Sequence, residues 1–124
     1  MRKEKTVLVV DDAAFMRNML KRVIEGAGSY TVAEAPDGET ALRLYEEICP
    51  GLVLLDITMP GINGIEVLKQ ILQKDPDACV VMCSAIGQEQ MIREAVENGA
   101  TDFIVKPFKP EQIEAALIKA YPAD

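Results

Sequence analysis

The chain has 124 residues, 49% hydrophobic and 27% charged, which suits one globular unit with its own core and no need of staples. Twenty acidic against 13 basic residues give a formal net charge of -7, and there is no histidine. An acidic surface repels nucleic-acid phosphates, and the commonest metal ligand and general base is missing, so direct nucleic-acid binding and histidine chemistry are disfavoured.

The basic start MRKEK leads into an apolar run, Thr6 to Val10, that Asp11 and Asp12 cut short. It is too brief for a signal peptide, and no segment approaches a membrane span, so a cytoplasmic protein without membrane insertion is expected. Met16, Leu20, Val23 and Ile24 then recur at helical spacing, closed by Gly26 and Gly28. A second strand is predicted from Tyr30 to Ala35, and Asp37-Gly38 opens a helix carrying Ala41, Leu42 and Tyr45. A third strand, Leu52 to Leu55, precedes a helical stripe of Ile65, Leu68 and Leu72, stopped by Asp75-Pro76. A fourth, Cys79 to Cys83, precedes Met91, Ile92, Ala95 and Val96, with Asn98-Gly99 at the helix end. The fifth, Asp102 to Val105, leads to a helix with Pro110 in its first turn and a stripe of Ile113, Ala116, Leu117 and Ala120.

VLVV, LVLL and CVVMC show no polar alternation, as expected of strands covered on both faces. Five strands alternating with five helices predict a doubly wound α/β fold around a five-stranded parallel sheet. Without internal repeats, linkers or low-complexity tracts, residues 1–124 read as one domain. Cys79 and Cys83 on one strand would lie about 13 Å apart, beyond disulfide reach. All three cysteines, Cys49 included, are expected to be packing residues in a reducing compartment.

Ligands of such sheets bind beyond the carboxyl ends of the strands. Asp11 and Asp12 end the first strand, Asp56 the third, Ser84 the fourth and Lys106 the fifth. If the strand order is 2-1-3-4-5, the first and third flank the topological switch point. Each residue also has a plainer reading. Asp12 would serve as a helix N-cap, Ser84 as a turn residue and Lys106 as a solvated surface lysine. Asp56 is different, because an apolar run delivers it into a Met-Pro-Gly-Ile-Asn-Gly loop. Three clustered carboxylates need protons or a cation to offset their repulsion. An all-oxygen set with an unfinished shell suits Mg²⁺ beside a phosphoryl group, to which Lys106 and Ser84 could donate.

Taken in order, Asp11-Asp12, Asp56 with Met59-Pro60 and Gly64, Ser84-Ala85 and Lys106-Pro107 resemble the receiver domain of a bacterial two-component response regulator, over essentially the whole chain. The stretch DDAAFMR further resembles the CheY-type chemotaxis regulators, which themselves exemplify the flavodoxin-like order 2-1-3-4-5. The resemblance implies that Asp56 accepts a phosphoryl group from a sensor histidine kinase. It implies that Asp12, Asp56 and the Thr58 backbone carbonyl hold Mg²⁺, with Asp11 acting through water. It further implies that Lys106 contacts the phosphoryl group, that Ser84 moves to bond it, and that Phe103 swings inward behind it. The Lys106-Pro107 peptide is expected to be cis. The output surface would be the fourth helix, fifth strand and fifth helix, carrying Met91, Ile92, Phe103 and Lys119, on a monomer that binds a protein partner.

Ser84 stands where threonine is frequent in the family, and Phe103 where chemotaxis regulators usually carry tyrosine. Phe103 also has a plainer reading as a packed aromatic. Thr58 and Ile86 occupy positions that modulate dephosphorylation, and Ile86 offers no hydrogen bond to an attacking water, so slow loss of phosphate is expected. Two alternatives stand beside a free-standing regulator. One is a receiver belonging to a longer DNA-binding response regulator; the other is a Mg²⁺-dependent phosphohydrolase with an aspartate nucleophile. For the second, position 58 is Thr where a leaving-group acid is wanted.

Overall fold

The structure is a computed structural model that describes residues 5–122. Its strands are β1 (Thr6–Val10), β2 (Thr31–Ala35), β3 (Leu52–Asp56), β4 (Val80–Ser84) and β5 (Asp102–Val105). They alternate with α1 (Ala14–Ala27), α2 (Gly38–Ile48), α3 (Gly64–Lys74), α4 (Glu89–Glu97) and α5 (Pro110–Ala120). All the strand pairings are parallel, in the order β2-β1-β3-β4-β5. This is the expected doubly wound, flavodoxin-like sheet.

Because strand side chains alternate between faces, each unbroken apolar run feeds two cores. Leu8, Val10, Val53, Leu55, Val80 and Met82 pack on one face against α2, α3 and α4, through Tyr45, Leu68, Ile71 and Ala95. Val7, Val9, Leu52, Leu54, Val81 and Cys83 pack on the other against α1 and α5, through Leu20, Ile24, Ile113 and Leu117. Full burial of each such aliphatic side chain contributes about 1.5–3 kcal/mol, so these two layers hold the sheet flat enough to present one common edge.

Several local assignments shift. β2 begins at Thr31 rather than Tyr30, and β3 extends to Asp56 itself. β4 runs from Val80 to Ser84, although the Cys79 carbonyl still accepts the Val53 amide at 3.0 Å. Gly26 lies inside α1, which closes one residue later. Asp12 is not the N-cap of α1: the cap is Ala13, without side-chain capping, and the Asp11 carboxylate takes the Ala13 amide at 2.9 Å. Cys49 is exposed rather than packed, because the chain turns left-handed there, at φ 45°, to leave α2. Val96 is 49% exposed, since only the Ala95 side of short α4 meets the sheet. Among the described residues no helix is long and apolar enough to cross a membrane.

The parallel register matters most at the carboxyl edge. Val10 pairs with Leu55, Asp56 with Cys83, and Ser84 with Val105, so from β3 to β5 the polar residues at the strand ends are staggered by a residue from strand to strand yet share one edge. The loop leaving Asp56 returns at once to pack α3 beneath it. Gly64 donates its amide to the Ile57 carbonyl at 2.8 Å, and Asn63 caps α3 by accepting the Glu66 amide at 3.0 Å. A Cβ on Gly64 would lie 2.1 Å from the Asp56 carbonyl oxygen, an impossible approach to main chain.

Gly64→Ala is therefore expected to cost about 2–4 kcal/mol in urea unfolding. Gly26→Ala, with nothing within 4 Å of the new Cβ, is expected to be neutral or stabilising by up to about 1 kcal/mol.

Candidate functional site

The switch point lies between β1 and β3, where the chain winds off in opposite directions. Asp11 follows β1 and is 2% exposed; Asp56 ends β3 and is 7% exposed. Exposed Asp12 completes the group, and carboxylate oxygens of all three lie within 4.8 Å of one another.

Lys106, immediately after β5, reaches across β4 to this cluster. Its Nζ donates to Asp11 Oδ2 at 2.8 Å and lies 3.5 Å from Asp56 Oδ1. It is not the solvated surface lysine of the plainer reading. The Lys106-Pro107 peptide is cis. Asp11 is engaged through both oxygens, since Oδ1 accepts the Ala13 amide and Oδ2 takes the ammonium. Arg17 anchors the same turn by donating to the Asp11 carbonyl at 2.7 Å while pairing with Glu34 at 3.2 Å.

Burial pushes the Asp56 carboxyl up to about 6, opposed by the Lys106 charge and assisted by the negative charge of Asp11. A backbone hydrogen bond from Thr58 pulls it slightly back. For Lys106, burial works against the ammonium, but the bond to Asp11 and the charges of Asp56 and Asp11 outweigh it, so its pKa is raised. Burial drives the neighbouring Cys83 thiol to about 12, which keeps it a neutral packing group.

Ser84 ends β4 fully buried, and its Oγ has no hydrogen-bond partner among the described residues. Few buried hydroxyls are left this way. Thr58 lies two residues beyond Asp56, exposed, with its hydroxyl bonded by Gln88 at 2.6 Å. Phe103 is 42% exposed, so the packed-aromatic reading does not describe it. It borders a cavity of about 460 Å³ lined also by Ala85, Ile86, Ile92 and Val105. Arg17 and Gln88 were not singled out from sequence. Arg17 ends the DDAAFMR stretch and was open to notice, whereas nothing in the spacing marks Gln88.

A parallel sheet presenting acidic residues, a lysine and a hydroxyl at its switch point is the arrangement expected of a signalling receiver. The chain belongs to the response regulator receiver domain family, whose match spans residues 7–118. It is 51% identical to the chemotaxis protein CheY of Thermotoga maritima over 115 residues, covering 93% of this chain and 96% of that one. To the chemotaxis protein CheY of Listeria monocytogenes it is 50% identical over 114 residues, covering 92% and 96%. The crystal structure of a response regulator receiver domain protein from Clostridium thermocellum superposes with a TM-score of 0.88 at 26% identity, covering 93% and 92% of the two chains. The protein is a CheY-like response regulator.

The raised Asp56 pKa has a stability consequence with a definite sign. A carboxyl whose folded pKa exceeds its unfolded value contributes stability at low pH that is lost as pH rises through about 6. In metal-free buffer, Asp56→Asn should lack this loss and exceed wild type at pH 7.5 by on the order of 1–2 kcal/mol, allowing for solvent screening. Denaturant unfolding of both proteins between pH 4.5 and 7.5 checks it; parallel stability curves would contradict it.

Proposed function

We propose that the chain is a phosphorylation-activated switch of chemotaxis signalling that takes a phosphoryl group on Asp56 from a sensor histidine kinase. The observation that carries this reading is the Lys106 ammonium held between Asp11 and Asp56, beside the unpartnered Ser84 hydroxyl. The Asp56 Oδ attacks the phosphorus of the kinase phosphohistidine. As the new O–P bond forms, the P–N bond breaks and its electron pair returns to the imidazole, which leaves carrying a proton. Lys106 and Ser84 supply donors to the phosphoryl oxygens where negative charge gathers.

The donor set fits Mg²⁺: it is all oxygen, its carboxylate oxygens lie within 4.8 Å of one another, and it is open at exposed Asp12. Asp12, Asp56 and the Thr58 carbonyl would hold the ion directly. Asp11, with both oxygens already engaged, would reach it through water. When bound, Mg²⁺ neutralises the carboxylates and draws charge from the phosphoryl oxygens.

Phosphorylation adds about -1.5 to -2 of charge and three acceptors. Bonds to Lys106 and Ser84, at roughly 1.5–3 kcal/mol each, approach the roughly 5.5 kcal/mol that reverses a 1:99 equilibrium. Ser84 moves toward the phosphoryl group, and Phe103 turns into the cavity beside it. The output surface is α4, β5 and α5, where exposed Phe103, Val96 and Ile118 offer apolar contact to a protein partner. The protein works in the cytoplasm as a monomeric single domain. A phosphohydrolase is disfavoured, because Thr58 stands where a leaving-group acid is needed.

Acetyl phosphate with Mg²⁺ should place one phosphoryl adduct on the wild-type chain, mapped by peptide mass to Asp56, and none on Asp56→Asn. Lys106→Ala should be labelled at least tenfold more slowly, as expected for loss of a charge-assisted bond. An identical adduct on Asp56→Asn would place the acceptor elsewhere.

A further inference from the structure

Gln88 directly precedes α4, and its backbone carbonyl accepts the Ile92 amide at 2.9 Å in the first bond of that helix. Its side chain does not cap the helix. Instead it turns back toward the site. Oε1 accepts the Ala85 amide at 2.6 Å, and Nε2 donates to Thr58 Oγ1 at 2.6 Å, with Met91 Sδ 3.9 Å away. A glutamine gives up considerable rotamer freedom when both ends of its carboxamide are held. Thr58 lies two residues after Asp56, and Ala85 directly follows Ser84. One carboxamide thus joins the β3–α3 loop to the β4–α4 loop across the rim of the site and ties both to the start of α4.

The Ser84 hydroxyl, buried and unpartnered, gains from any movement that brings it an acceptor. A phosphoryl oxygen on Asp56 is such an acceptor. Ala85 is the next residue, so a shift of Ser84 toward Asp56 acts directly on the amide that Gln88 holds.

We propose that Gln88 is a positioning residue for phosphoryl transfer: a brace between Thr58 and Ala85 that holds the two loops in the unphosphorylated arrangement and must release Ala85 as the switch turns. The proposal rests on the phosphoacceptor role of Asp56 argued above. Releasing the brace passes the movement of Ser84 to α4 through the helix's own first residue. It also sets a threshold, since the unphosphorylated loops are held apart from the closed arrangement until the phosphoryl group competes for the same segment.

Modification of Asp56 by acetyl phosphate with Mg²⁺ tests this in the full chain, using Gln88→Ala and Gln88→Met. The first removes the whole carboxamide; the second keeps the length and bulk but neither polar end. Both should raise the maximal rate by about 3- to 10-fold, the worth of one ordinary hydrogen bond, with the half-saturating acetyl phosphate concentration unchanged. Thr58→Val should raise it less, and combining it with Gln88→Ala should add nothing further. In the unphosphorylated wild type, the Ala85 amide should exchange with solvent more slowly than in either Gln88 variant. Wild-type rates in both variants, a slower Gln88→Ala, or a Gln88→Met that matches wild type would overturn the brace while leaving Asp56 as acceptor. A wild-type chain that takes no phosphoryl group would overturn both readings.

Discussion

The whole arrangement depends on the Lys106 ammonium, 2.8 Å from Asp11 and 3.5 Å from Asp56. Two carboxylates buried to 2% and 7% exposure at the end of an apolar sheet would repel each other strongly and lose most of their hydration. One half-buried cation offsets the repulsion from Asp11, and the raised Asp56 pKa reflects chiefly the hydration lost on burial. Three carboxylates against one ammonium leave the cluster net negative, which is what suits it, in the function proposed above, to a divalent cation and an incoming phosphoryl group.

The fold makes this conflict possible. Helices on both faces oblige the inner strands to be apolar throughout, so the first position at which polar residues can gather is the carboxyl edge. Register then brings Asp56, Ser84 and the segment around Lys106 to the same edge in neighbouring strands, and the reversal of winding between β1 and β3 leaves a crevice there. Gly64 lets α3 pack directly beneath Asp56, so that carboxylate sits over a packed helix start. On the opposite side Ser84 lacks a partner among the described residues, and Gln88 holds the β4–α4 loop.

Much of this was legible in the residues themselves. Unbroken runs such as VLVV and LVLL specify strands covered twice, and polar residues ending four of five runs point to one edge, because parallel strands share a direction. Local boundaries were harder to place. The left-handed turn at Cys49 and the uncapped start of α1 depend on how the chain enters and leaves the sheet, which no nearest-neighbour pattern records. Single-residue roles divided in the same way. Lys106 was recognisable because it ends the fifth apolar run and precedes Pro107, whereas Gln88 makes contacts 3 and 30 residues away that spacing does not signal. The exposure of Phe103 likewise reflects the cavity beside it, a property of three elements together.

The central claim is that unresolved negative charge at the sheet edge makes the site a receptor for a divalent cation. The most direct measurement is the thermal midpoint of the wild-type protein at pH 7.5, with and without Mg²⁺ at tenfold its dissociation constant. An increase of about 4–8 °C that is lost in Asp12→Ala is predicted. A wild-type midpoint indifferent to Mg²⁺, or an increase that Asp12→Ala retains in full, would contradict it.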